Sequence, residues 1–80
     1  MTNITYGITE EIYEFENLIR VSYGVVAYAD FEHNGTTTII TSIHDVSDNK
    51  KKLKELIQLC NIEKLSLIQF QEVIEDFLLD

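Results

Sequence analysis

Apolar and polar positions change rhythm once along this chain. Up to about Val46 the apolar residues are mostly β-branched or aromatic, and many alternate with polar ones. Tyr13, Phe15, Ile19, Val21 and Tyr23 interleave with Glu14, Glu16, Arg20 and Ser22; Val25, Val26, Tyr28 and Phe31 follow, then Thr36-Thr37-Thr38-Ile39-Ile40-Thr41. A period of two in such residues predicts strands. From Ser47 onward Leu, Lys, Glu and Gln dominate and the spacing becomes helical. Leu53, Leu56, Ile57 and Cys60 form one stripe, and Phe70, Val73, Ile74, Phe77 and Leu78 form another. Strands followed by helices predict an α+β fold. The expected architecture is an antiparallel sheet of three or four strands over residues 11–45. Helices over about 48–61 and 66–79 then form an antiparallel hairpin packed on one face of the sheet.

Local signals refine this picture. Asn34-Gly35 between two β-rich runs predicts a hairpin. A three-residue loop, His33-Asn34-Gly35, pairs Phe31 with Thr37, Ala29 with Ile39, Ala27 with Thr41 and Val25 with Ile43. That register collects Val25, Ala27, Ala29, Phe31, Ile39 and Ile43 on one face, whereas a two-residue loop sets an apolar face against a polar one. Register follows the buried face, so the longer loop is preferred. The segment from residue 9 to residue 20 has two readings. Its alternation favours a strand, with Asn17 marking a turn or bulge; Thr9-Glu10-Glu11 followed by Ile12, Phe15 and Ile19 also fits a capped helix. In the helical half, Ser47 reads as an N-cap with Asp48 in the first turn. Asn61 reads as a stop, and Ser66 with Gln69 as a capping box.

Charge adds to the topology. Lys50, Lys51, Lys52 and Lys54 crowd the start of the first helix, and Glu72, Glu75, Asp76 and Asp80 the end of the second. Each run opposes its own helix dipole, and an antiparallel pairing makes the two complementary. The alternative is that both runs are solvated faces. Over all 80 residues the formal charge is −8, and −6 of it falls on residues 1–46, where seven acids face Arg20 alone. Such a balance disfavours contact with nucleic-acid backbones and with anionic membranes. No apolar run approaches the roughly 20 residues that span a bilayer, and the N-terminus lacks a signal-peptide pattern. A cytoplasmic protein is expected.

Candidate chemistry is sparse. His33 and His44 fall at opposite ends of the predicted hairpin, about 30 Å apart by strand rise, too far to share a metal. The run from Asp30 to Gly35 imitates the start of a calcium loop, but its twelfth position is Thr41 rather than a bidentate Glu. Cys60 sits on an apolar stripe, where an inert core thiol is expected. Ser22, Ser42, Ser47 and Ser66 have no neighbouring base, and Gly7, Gly24 and Gly35 form no phosphate loop. No catalytic, cofactor or metal residues are therefore assigned, and an enzyme is not expected.

Several short motifs carry a resemblance: Tyr23-Gly24-Val25, Ile43-His44-Asp45-Val46-Ser47, Leu53 to Asn61, and Leu65-Ser66 leading to Val73-Ile74-Glu75-Asp76-Phe77-Leu78. Over residues 20–80 the chain resembles a small uncharacterised family of spore-forming Firmicutes, whose members carry Pro where this chain has Leu67. The resemblance implies a Gram-positive cytoplasmic protein and transfers no activity.

These features point to a non-enzymatic interaction or regulatory module that binds a protein partner or a second copy of itself. Three strands and two helices leave a sheet face or edge uncovered, and Tyr23, Val26, Tyr28 and Ile40, with the acids Glu14 and Glu16, form the expected partner surface. The alternative is an acidic nucleic-acid mimic that inhibits a DNA-binding protein, suggested by the charge of the strand half.

Overall fold

A computed structural model describes residues 2–31 and 36–79. Strands β1 (Thr2–Phe15), β2 (Leu18–Phe31) and β3 (Thr36–Ser47) form a three-stranded antiparallel meander with β2 in the centre. Helices α1 (Lys50–Ile62) and α2 (Leu67–Leu79) follow. The fold is α+β, as the change of rhythm predicts. Lys52, near the start of α1, lies over the ring of Phe77, near the end of α2, so the two helices run antiparallel.

The strands begin earlier than residue 11. Ile4, Tyr6 and Ile8 alternate with Thr5, Gly7 and Thr9, and this period-two run pairs with Ala29, Ala27 and Val25 of β2. The segment from Thr9 to Arg20 is a strand hairpin, not a helix, and its turn is Glu16-Asn17. Both residues have positive φ, 50° and 67°, as the mirror-image two-residue turns that suit twisted hairpins require. Asn17 accepts that conformation more readily than most residues do.

The β2–β3 register is partly as expected. Ala27 pairs with Thr41 and Val25 with Ile43, but nearer the turn Ala29 meets Thr38 and Phe31 meets Thr36. Ile40 is the extra residue of a bulge, which bends the strand. Ile39 therefore lies opposite Tyr28 and is exposed, rather than facing inward beside Ala29. The proposed loop residues His33, Asn34 and Gly35 lie outside the described residues.

A second irregularity sits where Tyr23 pairs with Ser47 and Val25 with Ile43. Gly24 there faces three residues, His44, Asp45 and Val46. Asp45 has φ 54°, and the detour turns Val46 into the core. A Cβ on Gly24 would stand 2.5 Å from the Ile43 carbonyl oxygen and 2.8 Å from Thr9 Oγ1. The close approach of the two backbones admits only glycine. Two of the motifs behind the family resemblance, Tyr23-Gly24-Val25 and Ile43 to Ser47, are thus opposite each other in the sheet.

The core lies between the sheet and the helices. Val25 and Ala27 of β2 and Tyr6 of β1 meet Leu53, Ile57 and Cys60 of α1 and Phe70 and Ile74 of α2. The expected helical stripes face this core, with Leu56, Val73 and Phe77 partly buried against it, except for Leu78, which is exposed. Tyr6 ties the layers together. Its ring stacks on Phe70 with centroids 4.0 Å apart, and its hydroxyl donates to the Leu65 carbonyl at 2.7 Å. Its backbone N–H donates to Asn61 Oδ1 at 2.8 Å, and Asn61 Nδ2 donates to the Tyr6 carbonyl at 2.9 Å. The carboxamide of Asn61 completes the outer edge of β1 as a neighbouring strand would.

Both boundaries of α1 differ from the sequence expectation. Asn49, not Ser47, caps α1, accepting from the Lys52 N–H at 3.1 Å; Ser47 instead accepts from the Asn49 N–H. Asp48 consequently precedes the helix. Asn61 remains helical, and α1 stops at Lys64, whose φ of 50° lets the Leu65 N–H reach the Cys60 carbonyl, a Schellman closure. The capping box at Ser66 is present in both halves, with the Ser66 N–H on Gln69 Oε1 and the Gln69 N–H on Ser66 Oγ.

Candidate functional site

Beyond the Tyr23–Ser47 pair, β3 ends its pairing and the helices contribute no cover. Residues 11–15 and 18–22 continue as a two-stranded ribbon, about 16 Å long at about 3.3 Å per residue. The molecule is correspondingly long, 47 × 28 × 18 Å. Ile12, Phe15, Leu18 and Ile19 on this ribbon are each at least 70 % exposed, and Tyr13 and Val21 are partly so. The cross-strand pairs Ile12–Val21 and Glu14–Ile19 share the helix-side face, and Tyr13–Arg20 and Phe15–Leu18 the other. Both faces of the ribbon therefore carry uncovered apolar side chains.

Glu10, Glu11, Glu14 and Glu16 interleave with them, against the single cation Arg20. Arg20 is already engaged, with Nη2 3.6 Å from Asp45 Oδ1. Ser22, fully buried, donates to the same carboxylate. The left-handed Asp45 thus anchors the base of the ribbon. Across the strand, Glu11 accepts from the Tyr13 hydroxyl at 2.5 Å and bonds His44 Nδ1. The Tyr13 hydrogen bond, then that of His44, lowers the Glu11 carboxyl below its usual range, and the same bond raises the Tyr13 phenol.

An acid beside a histidine suggests hydrolytic chemistry, but the Tyr13 hydroxyl donates to that acid, and the Ser22 hydroxyl is fully buried and donates its hydrogen bond to Asp45. Cys60 is buried, and burial raises its thiol. Among the described residues no three His, Cys, Asp or Glu side chains are placed to hold a metal. Two open hollows flank the ribbon base. One, of about 490 Å³, lies on the ribbon against Tyr13, Phe15, Leu18, Arg20 and Asp45. The other, of about 470 Å³, adjoins it at Arg20 and Asp45 and continues to Asn49, Lys52, Phe77 and Leu78.

The expected partner surface is divided by the structure. Tyr23 belongs to the helix-covered face, in step with Val25 and Ala27, and packs on the core under Lys50 Nζ. Val26 does lie on the other face but is only 2 % exposed. It and Tyr28 close over Gly7, whose missing side chain leaves the space they fill. Tyr28 is half-buried, while Ile40, Glu14 and Glu16 are exposed. The expected surface omits the ribbon residues Ile12, Tyr13, Phe15, Leu18 and Ile19. Their signal was the Glu-Asn pair between two alternating runs, which marks a hairpin turn. Among the described residues none of the α1 lysines lies within 4.0 Å of a carboxylate, so the expected pairing of the two helical charge runs is not realised as ion pairs there. Asp80 lies outside the described residues.

These features define a small α+β scaffold, a meander backed by a helical hairpin, from which one strand hairpin projects. The chain belongs to DUF6514, a family of unknown function, whose model matches residues 1–80. Comparison with the curated proteins and with the solved structures gave no match. Among the described residues no helix is long and apolar enough to cross a membrane.

Proposed function

We propose that the chain is a non-enzymatic protein-interaction module whose docking element is the β1–β2 ribbon. The observation that carries this reading is the exposure of Ile12, Phe15, Leu18 and Ile19 on both faces of a projecting ribbon. Isolated two-stranded hairpins are at best marginal in water, and contiguous exposed apolar surface marks interaction sites. The ribbon gains cover when a partner takes it up. The resemblance to proteins of spore-forming Firmicutes supports a setting in a Gram-positive cytoplasm.

The test is position-specific photo-crosslinking in the native cell. A crosslinking side chain at position 18 should give a discrete protein adduct, while one at position 58, exposed on α1, should not. Replacing Ile12 and Phe15 with Ser should abolish the adduct and leave thermal stability nearly unchanged. Equal labelling from positions 18 and 58 would refute the proposal.

A further inference from the structure

Resting on the ribbon as docking element, we infer that its partner binds as an added strand along the outer edge of β1, from Glu10 to Glu14. The occupant is an extended segment of a different protein, with Lys or Arg spaced as Glu10 and Glu14 are and an apolar residue midway. The direction of the β1 backbone groups and the charge along that edge carry this.

The carboxamide of Asn61 fixes the direction. It bonds both the N–H and the carbonyl of Tyr6, so both groups point away from β2. The backbone groups of a strand alternate between its two edges, and the β1–β2 register runs without a shift from Thr2 to Phe15. The N–H and carbonyl of Glu10, Ile12 and Glu14 therefore also point outward, while those of Glu11 and Tyr13 belong to the ladder with β2. Among the described residues no hydrogen bond to another element reaches these outward groups. Open edges are ordinarily defended by Lys, Pro or a bulge. The other edge strand, β3, has its bulge at Ile40. β1 has no Lys, Pro or bulge, and its charges are all acids.

The side chains of Glu10, Ile12 and Glu14 share the helix-side face, past the cover of the helices. Ile12 is 70 % exposed, and both acids are exposed. Among the described residues no cation lies within 4.0 Å of either acid. On the opposite face the charges are already matched, Glu11 by Tyr13 and His44, and Arg20 by Asp45. A second copy is a poor occupant. Antiparallel pairing centred on Ile12 would set Glu10 of each chain opposite Glu14 of the other, and directly opposed like charges destabilise a sheet. A foreign strand with a cation opposite each acid and an apolar residue opposite Ile12 satisfies the whole face. In this mode main-chain bonds give affinity, and alternate side chains give specificity.

The test uses the full chain and a capped peptide, Thr-Lys-Thr-Val-Thr-Lys-Thr, with a charge-reversed control in which Glu replaces each Lys. With the basic peptide at about ten times its Kd, amide exchange should slow about tenfold at Glu10, Ile12 and Glu14. It should stay unchanged at Glu11 and Tyr13, whose N–H groups already bond β2. Ile12→Pro removes an outward donor and leaves the ladder intact, as edge positions permit. It should weaken binding about tenfold, and Ile12→Thr, which keeps the N–H, should weaken it less. Glu10→Lys with Glu14→Lys should lose the basic peptide and take up the charge-reversed one, a gain that also shows the variant folds. No binding of the basic peptide, protection that does not alternate, or equal binding of both peptides overturns the inference. In the native cell, a position-18 adduct that survives Ile12→Pro and the double reversal overturns strand addition and leaves the ribbon as a docking element. If position 18 labels no better than position 58, the docking element fails, and the inference with it.

Discussion

Removing the side chain of Asn61 should loosen the β1 edge and little else. Its carboxamide makes two hydrogen bonds to the backbone of Tyr6, at 2.8 and 2.9 Å. At about 1 kcal/mol net for each, Asn61→Ala should cost about 2 kcal/mol. The better helix propensity of Ala returns about 0.6 kcal/mol, leaving a loss near 1.5 kcal/mol. For a domain of this size that lowers Tm by about 6–12 °C. Urea denaturation measures the loss, and amide exchange locates it, since the Tyr6 N–H should lose protection before the β2 amides do. Asn61→Asp separates the two bonds. The introduced carboxylate still accepts from the Tyr6 N–H but has no proton for the Tyr6 carbonyl, so at neutral pH it should destabilise more than Ala. Protonation restores a donor, so the folded-state pKa lies above the unfolded value of about 3.9. The deficit should therefore be smallest below that value and grow as pH rises through the folded pKa. A loss under about 0.5 kcal/mol for Asn61→Ala, with Tyr6 protection intact, would show that water replaces the carboxamide and that the edge needs no cap.

Gly24→Ala should cost about 1–3 kcal/mol, the range of overpacking, because its Cβ would stand 2.5 Å from a backbone oxygen; an unchanged denaturation midpoint would mean that the β3 detour yields freely. Lys64→Gly should stabilise the chain by about 0.5–1 kcal/mol, since Lys64 holds a left-handed φ of 50° at the helix stop, and a lower Tm would contradict that account. Tyr6→Phe should cost about 1–2 kcal/mol at neutral pH by leaving the Leu65 carbonyl without its donor. Burial, with Cys60 nearby, raises the Tyr6 phenol above its ordinary value of 10.0, so its contribution is complete below about pH 10 and is lost as pH climbs through the raised value. Denaturation at stepped alkaline pH should show a smaller loss in the Phe variant than in wild type.

The helices were legible because their signals are local. The stripes from Leu53 to Cys60 and from Phe70 to Phe77 are short-range periods, and the Ser66 capping box closes within one turn. The errors come where a distant element decides. Ser47 and Asn49 are both good caps, and the detour of β3 opposite Gly24 selects Asn49 by holding Ser47 in the last strand pair. Asn61 looks like a helix stop because Asn suits such positions, but its side chain is spent on Tyr6, 55 residues away. The bulge at Ile40 rotates Ile39 out of the core, and no adjacent residue announces it. Val26 alternates like a surface residue of the outer face, yet Gly7 on the neighbouring strand lets Tyr28 close beside it.

The segment that read ambiguously as strand or helix is also the one that projects. A strand with one buried face separates apolar from polar residues by parity, and a helix separates them by face. Residues 11–22 follow neither scheme well, because apolar side chains occupy both faces of the ribbon and acids interrupt each. Within a single copy nothing selects such a pattern, since no core face exists there to enforce alternation. Agreement between local pattern and fold is the norm, and departures gather at functional sites. The same reasoning covers the lysines of α1, which oppose their own helix dipole and, among the described residues, find no carboxylate within 4.0 Å.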